Sequence, residues 1–347
     1  MRLRELLRPR YDGAIAATLG GIVDRFRDRG RVRPLELAPE DRLDGRTCLV
    51  TGANRGLGLA IATELAKRGG HVLLACRSGI PEVMDVVRRG AGGAGTVEAV
   101  NLDLGDLDSV ERMTSELAED GIALDVTVLN AGIVSREARR TRNGLDESFQ
   151  VNFLANVLLV RRLLERGVIA SARSRAEEDD DPDVSDEPAT MPRVVFVSSE
   201  AHRSAPPIDF ARLGTFRRWT MREAVGEYGY AKLLGETWAA ELARRTAGEV
   251  SVSSMCPGAV NTDIAREAPA WAKPALGATM RAFFKDPTEA AAPVVYLAAA
   301  RAIEGETGIY LHAHRRKEPS DEARDPEKGR RLWEASARIL ANTGHRI

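Results

Sequence analysis

TGANRGLG, residues 51–58, follows the apolar run TCLV and leads into a stretch whose apolar residues recur at three- and four-residue steps. A short strand therefore turns into a helix at this point. Gly52, Gly56 and Gly58 let the backbone of such a turn come close to a pyrophosphate, and the helix N-terminus supplies N–H donors and positive potential. The strand-to-helix context is what carries this reading, because a glycine pattern alone also arises for steric reasons.

Further along, the runs 47–51, 71–75, 97–100, 126–129, 194–197, 250–255 and 309–311 read as strands, with continuous apolar character that fits burial on both faces. Segments 57–68, 107–119, 146–166, 228–246 and 288–300 carry helical periodicity between them. The alternation predicts an α/β fold, a doubly wound parallel seven-stranded sheet of the Rossmann kind in a single domain over residues 44–347.

Composition narrows the function. The 347 residues carry a formal net charge of −1, so there is no overall basic field of the kind duplex nucleic acid selects. The three cysteines, Cys48, Cys76 and Cys256, lie in or beside apolar runs and form no CxxC pair, which fits a reducing, cytoplasmic location. No stretch approaches the roughly 20 apolar residues of a spanning helix. Residues 1–43 form a basic amphipathic extension: 1–33 hold nine arginines against four acids, with Ile15, Leu19, Ile22, Val23 and Phe26 on one helical face. A docked helix and peripheral attachment to a membrane surface are the two readings of that extension. Residues 171–192 contain eight acids and three prolines and read as a disordered, solvated insert. His312 and His314 share a strand face, but no third ligand at zinc-like spacing accompanies them, so no metal is expected.

The second strand ends in LLACRS, which puts Arg77 where an acid would take a ribose 2′-hydroxyl. Arg55 lies inside the glycine loop. Two guanidinium groups there suit a 2′-phosphate, and the expected cofactor is NADP(H). Asp103, at the end of AVNLDL, is placed to accept from the adenine amino group.

EYGYAKLLGE, residues 227–236, offers two tyrosines and one lysine. Residues four apart share a helix face and residues two apart do not, so Tyr228 rather than Tyr230 meets Lys232. A free phenol has a pKa of about 10, and a neighbouring ammonium is expected to lower it toward the range useful for proton transfer. VVFVSSEAH, residues 194–202, ends a strand in Ser198 and Ser199 at the sheet edge where this architecture binds ligands. VLNAG (128–132) ends the fourth strand, VNFLANVLL sets Asn152 on the next helix, and CPGAVNTD (256–263) follows the sixth strand.

In this order and spacing, TGANRGLG, LNAG, VN, VSS, YGYAK and PGAVNT resemble the short-chain dehydrogenase/reductase family over about residues 44–342. ACR, SSEAH and the tail KEPSDEARDPEKGRRLWEASARIL (317–340) resemble its retinol dehydrogenase-like branch, whose members use lipophilic alcohols and carbonyls. The resemblance implies Tyr228 as acid/base, Ser199 positioning the substrate oxygen, and Lys232 lowering the tyrosine pKa and holding the nicotinamide ribose. It further implies Asn152 at a helix kink and water relay, Asn130 stabilising the central cofactor site, and Thr262 at the carboxamide. The cofactor set that accompanies it is completed by Asn54, Leu57, Leu104, Ala131, Gly132, Pro257, Gly258 and Val260. Ser198, the strand neighbour of Ser199, should point away.

The expected activity is thus NADP(H)-dependent interconversion of an alcohol and a carbonyl on a small lipophilic molecule. The alternative is a non-catalytic NADP(H)-binding sensor or scaffold. Residues 264–286, with Ile264, Trp271, Leu276, Met280, Phe283 and Phe284, form a candidate substrate lid or else pack on the domain. His202, near the serines, reads as a loop or substrate-lining residue. Helices 146–166 and 228–246 are those through which this family commonly forms homodimers, unless the N-terminal helix caps them and leaves a monomer.

Overall fold

Strand and helix alternate through the first seven elements of the computed structural model, which describes residues 35–171, 190–258 and 286–347. Strand β1 (Thr47–Thr51) leads to α1 (Gly56–Lys67), β2 (His71–Cys76), α2 (Ile80–Ala91), β3 (Thr96–Asn101), α3 (Leu107–Glu119) and β4 (Val126–Leu129). Then follow α4 (147–165), β5 (Arg193–Val197), a 3-10 turn (Glu200–Ser204), α5 (Ala224–Arg245), β6 (Ser251–Cys256), α6 (Pro287–Ala299), β7 (Ile309–His312), β8 (Arg315–Arg316), α7 (Asp321–Arg324) and α8 (Pro326–Asn342). The extension 1–33, most of the acidic insert and the candidate lid lie outside the described residues.

The sheet order is β3-β2-β1-β4-β5-β6-β7-β8. All pairings from β3 to β7 are parallel, and the order reverses between β1 and β4, the switch point at which such sheets open a ligand crevice. The expected count of seven strands is corrected to eight. The added strand is two exposed arginines paired antiparallel with Leu311 and His312, too short and too polar to announce itself.

Two-faced burial follows from the two-residue period of a strand. Cys48 and Val50 pack with α1 and α6 through Ile61, Leu65, Val294 and Leu297, while Leu49 between them joins Val110, Leu158, Leu233 and Leu242 on the other face. Strands β4, β5 and β6 are buried along their whole length, β6 with Ser251, Ser253 and Ser254 among its buried residues.

Helix α4 is not uniform. A turn at Glu147–Phe149, capped by the Asp146 side chain on Phe149 N–H (3.1 Å), widens into a π-helical turn at Gln150–Leu154 and continues as an α-helix over Ala155–Glu165. Asn156 helps to hold the wide turn by donating from Nδ2 to the Val151 carbonyl (3.1 Å). Such single π turns are frequent at functional sites.

The outer face of α5 is covered by α8, a chain-terminal helix with an apolar stripe through Leu332, Ala335 and Leu340. Trp333 stacks on Trp238 with centroids 5.1 Å apart and planes 6° from parallel, and the Arg161 and Arg245 guanidiniums sit 4.7 and 4.5 Å from the Trp333 ring. Cation–π and stacking contacts thus join α4, α5 and α8. Trp333→Ala is expected to lower unfolding free energy in urea by about 2 to 3 kcal/mol.

Candidate active site

The glycine loop is built against the end of β4. The Thr51 hydroxyl accepts from Asn130 N–H and Ala131 N–H (both 3.0 Å), and Asn130 Nδ2 donates to the Thr51 carbonyl at 2.9 Å. Gly52 has φ +66°, and a Cβ there would press on Ala131. A Cβ on Gly58 would collide with the Gly52 carbonyl and the Asn130 amide, so only glycine lets α1 start this close to the loop. Asn54 donates to the Ser78 carbonyl (3.2 Å), which ties the loop to the end of β2, and Leu57 is buried beneath it. The first turn of α1 carries no side-chain cap and no acid, unlike α3, α6 and α8, each capped by an aspartate. Such an N-terminus fits a phosphate group.

Arg55 and Arg77 are both exposed at this mouth, and Arg77 lies 3.8 Å from Asp103. Asp103 also accepts from Gly105 N–H (2.8 Å), so the residue expected at the adenine shapes its own turn as well. Leu104 is buried in the core, its carbonyl accepting from Gln150 Nε2 (3.1 Å). Gly258 has φ +78° and follows Pro257 beyond β6; Val260 and Thr262 lie outside the described residues.

Lys232 sits on the inner face of α5, 8% exposed, with Nζ donating to the Val197 carbonyl (2.8 Å) at the end of β5 and lying 5.7 Å from the Tyr228 ring centroid. Tyr228 faces the Ser199 side chain, whose Oγ accepts from Ala201 N–H (3.2 Å). Tyr230 faces elsewhere: its hydroxyl accepts from Asp209 N–H (3.0 Å). Asn152, on the π turn, clasps Ile133 with Oδ1 accepting from its N–H and Nδ2 donating to its carbonyl, both 2.9 Å. A Cβ on Gly132 would press on Asn152 Oδ1, with Lys232 Nζ next nearest, so that glycine admits the two side chains to one spot. Ser198 is buried and directed away from Ser199, as strand alternation requires.

Electrostatics corrects one expectation. Burial pushes the Tyr228 hydroxyl up to about 12, the Cys256 sulfur adds to this, and only the Ser199 side chain opposes it. Burial also drives the Lys232 ammonium down, to about 8, against the pull of Cys256 and Glu236. Cys256, which no reading of the motifs singled out, accepts at Sγ from Glu200 N–H (3.2 Å) and Gly258 N–H (3.4 Å); burial raises its thiol to about 11.

Of the two readings of His202, the structure shows the loop one: it is 1% exposed, in contact with Ser199 O through Nδ1 (2.6 Å), and its Nε2 accepts from Ser320 N–H (3.2 Å), so it braces the serine turn against the chain's tail. Glu200 beside it accepts from the Tyr310 hydroxyl (2.6 Å) and Lys317 Nζ (3.2 Å). Burial alone would raise the Glu200 carboxyl, but the Tyr310 hydrogen bond and the charges of His312, Arg203 and Lys317 hold it at about 2.

The buried lysine has a signed consequence for stability. Its pKa is 10.5 unfolded and about 8 folded, so the unfolded chain binds more protons between those values and stability rises with pH there. Lys232→Met removes this dependence. The stability of wild type relative to this variant is expected to rise by on the order of 3 kcal/mol between pH 8 and pH 10.5, read by urea unfolding across that range.

Residues 46–176 match the short chain dehydrogenase family model. Retinol dehydrogenase 13 of Mus musculus is 34% identical over 308 residues, covering 86% of this chain and 84% of that protein. Retinol dehydrogenase 14 of Homo sapiens is 31% identical over 344 residues, covering 93% and 96%. Among solved structures, the angucycline C-6 ketoreductase LanV with bound NADP is similar at 25% identity and a TM-score of 0.57, covering 78% of this chain and 95% of that one. By its motifs, its sheet order and these relatives, the chain belongs to the short-chain dehydrogenase family of oxidoreductases, in the retinol dehydrogenase-like branch.

Proposed function

We propose that the protein is an NADP(H)-dependent oxidoreductase that interconverts an alcohol and a carbonyl on a small lipophilic molecule, with Tyr228 as acid/base. The observation that carries the reading is the meeting of Ser199, Tyr228 and Lys232 at the carboxyl end of β5, beside Asn152 and below the uncapped N-terminus of α1. The cofactor would be held by Gly52, Asn54, Arg55, Gly56, Leu57 and Gly58 in the loop, by Arg77 and Asp103 at the strand ends, and by Asn130, Ala131 and Gly132 behind them. Bound there, it supplies or accepts a hydride at the nicotinamide C4.

In the reductive direction Tyr228 gives its proton to the substrate oxygen as that oxygen gains negative charge. A hydroxyl held near 12 is fully protonated at neutral pH and so ready as a donor. Ser199 hydrogen-bonds the same oxygen and orients it, and Lys232 reaches the ribose side of the site from its seat on Val197. Oxidation reverses each step. The lipophilic substrate class is supported by the retinol dehydrogenases to which the chain is similar. The preference for NADP(H) is supported by the two exposed arginines at the mouth, by the lack of an acid at the end of β2, and by the NADP bound in the similar ketoreductase.

A fluorescence titration with NADPH and NADH, followed by a lipophilic aldehyde in the same cuvette, tests this. NADPH should bind more tightly and be consumed on adding aldehyde; tighter NADH binding would remove the role given to the arginines. Replacing Arg55 and Arg77 by alanine together should weaken NADPH about tenfold or more and leave NADH nearly unchanged, the loss expected for charge-assisted hydrogen bonds. Tyr228→Phe should cost about 100-fold to 10,000-fold in kcat with cofactor affinity retained. Tyr230→Phe should stay near wild type, and equal losses from the two would overturn the assignment.

A further inference from the structure

On the oxidoreductase reading Ser199 works only at the right distance from the substrate oxygen, and its own hydrogen bonds do not set that distance. Oγ accepts from Ala201 N–H (3.2 Å) and the carbonyl from His202 N–H (3.1 Å), both within the 3-10 turn that Ser199 caps. Strand β5 holds the chain as far as Ser198, whose N–H donates to the Met255 carbonyl (2.7 Å). Beyond it the turn rests on α5 at the residue after Tyr228: a Cβ on Gly229 would lie 2.8 Å from the Ala201 carbonyl. The glycine lets the turn approach closely but offers no side chain to stop it sliding.

Glu200, the next residue after the serine, supplies the stop. Its N–H donates to Cys256 Sγ on β6 (3.2 Å). Its carboxylate is divided among three donors. Oε1 accepts from the Tyr310 hydroxyl on β7 (2.6 Å), and Oε2 accepts from Lys317 Nζ in the tail (3.2 Å) and from Arg203 Nε in the turn itself (3.1 Å). Arg203 donates in addition through Nη2 to the Glu318 carbonyl (2.5 Å), so the tail grips the turn at two points. A carboxylate serves donors on both sides at once through charge-assisted hydrogen bonds, whereas an amide has one acceptor oxygen and turns an N–H₂ toward the donors on the other side.

We propose that Glu200 is a positioning residue for Ser199: its carboxylate, held by Tyr310, Lys317 and Arg203, fixes where the serine turn sits on α5 and hence where the serine hydroxyl meets the substrate oxygen. The proposal deepens the oxidoreductase reading and rests on it for its catalytic consequence; the placement of the turn does not depend on turnover.

The test uses the full chain and Glu200→Gln, which keeps the side chain's shape and removes one of its two acceptors. Crystal structures of wild type and variant should differ by about 0.5 Å or more in the separation of Ser199 Oγ from the Tyr228 hydroxyl, with the fold otherwise kept. An unchanged separation overturns the proposal, whether or not an aldehyde is turned over. With NADPH and retinal, Glu200→Gln should lower kcat about tenfold, the cost of a misplaced group, while NADPH affinity read by fluorescence stays at the wild-type value. In the Ser199→Ala background the same change should cost nothing further, because Glu200 acts through that hydroxyl. A merely structural role would make the two losses multiply, and that result, or an unchanged kcat in the single variant, overturns the assignment. Absence of turnover in wild type would count against the proposed activity and leave the structural comparison to decide on Glu200.

Discussion

An amine buried at the edge of a parallel sheet organises everything around it. Lys232 can lie 8% exposed only because the Val197 carbonyl, at the end of β5, accepts one of its hydrogens and polar groups gather about the rest. That demand fixes the face of α5 turned to the sheet, and with it Tyr228 one turn earlier and Glu236 one turn later. It also accounts for the glycine at 132, where a side chain would crowd Asn152 and then the lysine. The π turn in α4 answers the same geometry from the other side, since it carries the Asn152 amide to Ile133.

The serine that faces the tyrosine is positioned from a different direction. Ser199 opens a 3-10 turn whose next residues are bound into the end of the chain: Glu200 to Lys317, His202 to Ser320, and Ile208 N–H to Glu322 (2.9 Å). SSEAH and KEPSDE, two stretches more than a hundred residues apart, thus form one structural unit at the site. The tail continues into α8, whose Trp333 is locked between α4 and α5, so the turn is held by packing that reaches the far side of the domain.

Much of this was legible from the residues. Every expected strand exists within a residue or two of its expected ends, because buried parallel strands leave long apolar runs. Tyr228 was separable from Tyr230 by helix geometry alone. What escaped had no local signature. Strand β8 is two arginines, and α2, though continuous, has Pro81 in its first turn and Gly90 near its end, residues that weaken a helical pattern in the sequence. The directions of the Tyr228 and Lys232 shifts depend on burial, a property of the whole fold, whereas reading the pair in isolation counted only their mutual charge. His202 looked available because it neighbours the serines; its partner Ser320 is distant in sequence. Glu236 did leave a trace, as an acid four residues after the lysine on a face that must be buried.

The claim that joins these parts is hydride transfer between a nicotinamide and a carbonyl carbon at Tyr228. It is tested most directly by supplying NADPH that carries deuterium at the transferable C4 position together with a lipophilic aldehyde, and determining the mass of the alcohol formed. The account requires the label to appear on the product's carbinol carbon in wild type and to be nearly lost with Tyr228→Phe. Bound NADPH that keeps its label across a broad panel of aldehydes and ketones would contradict it.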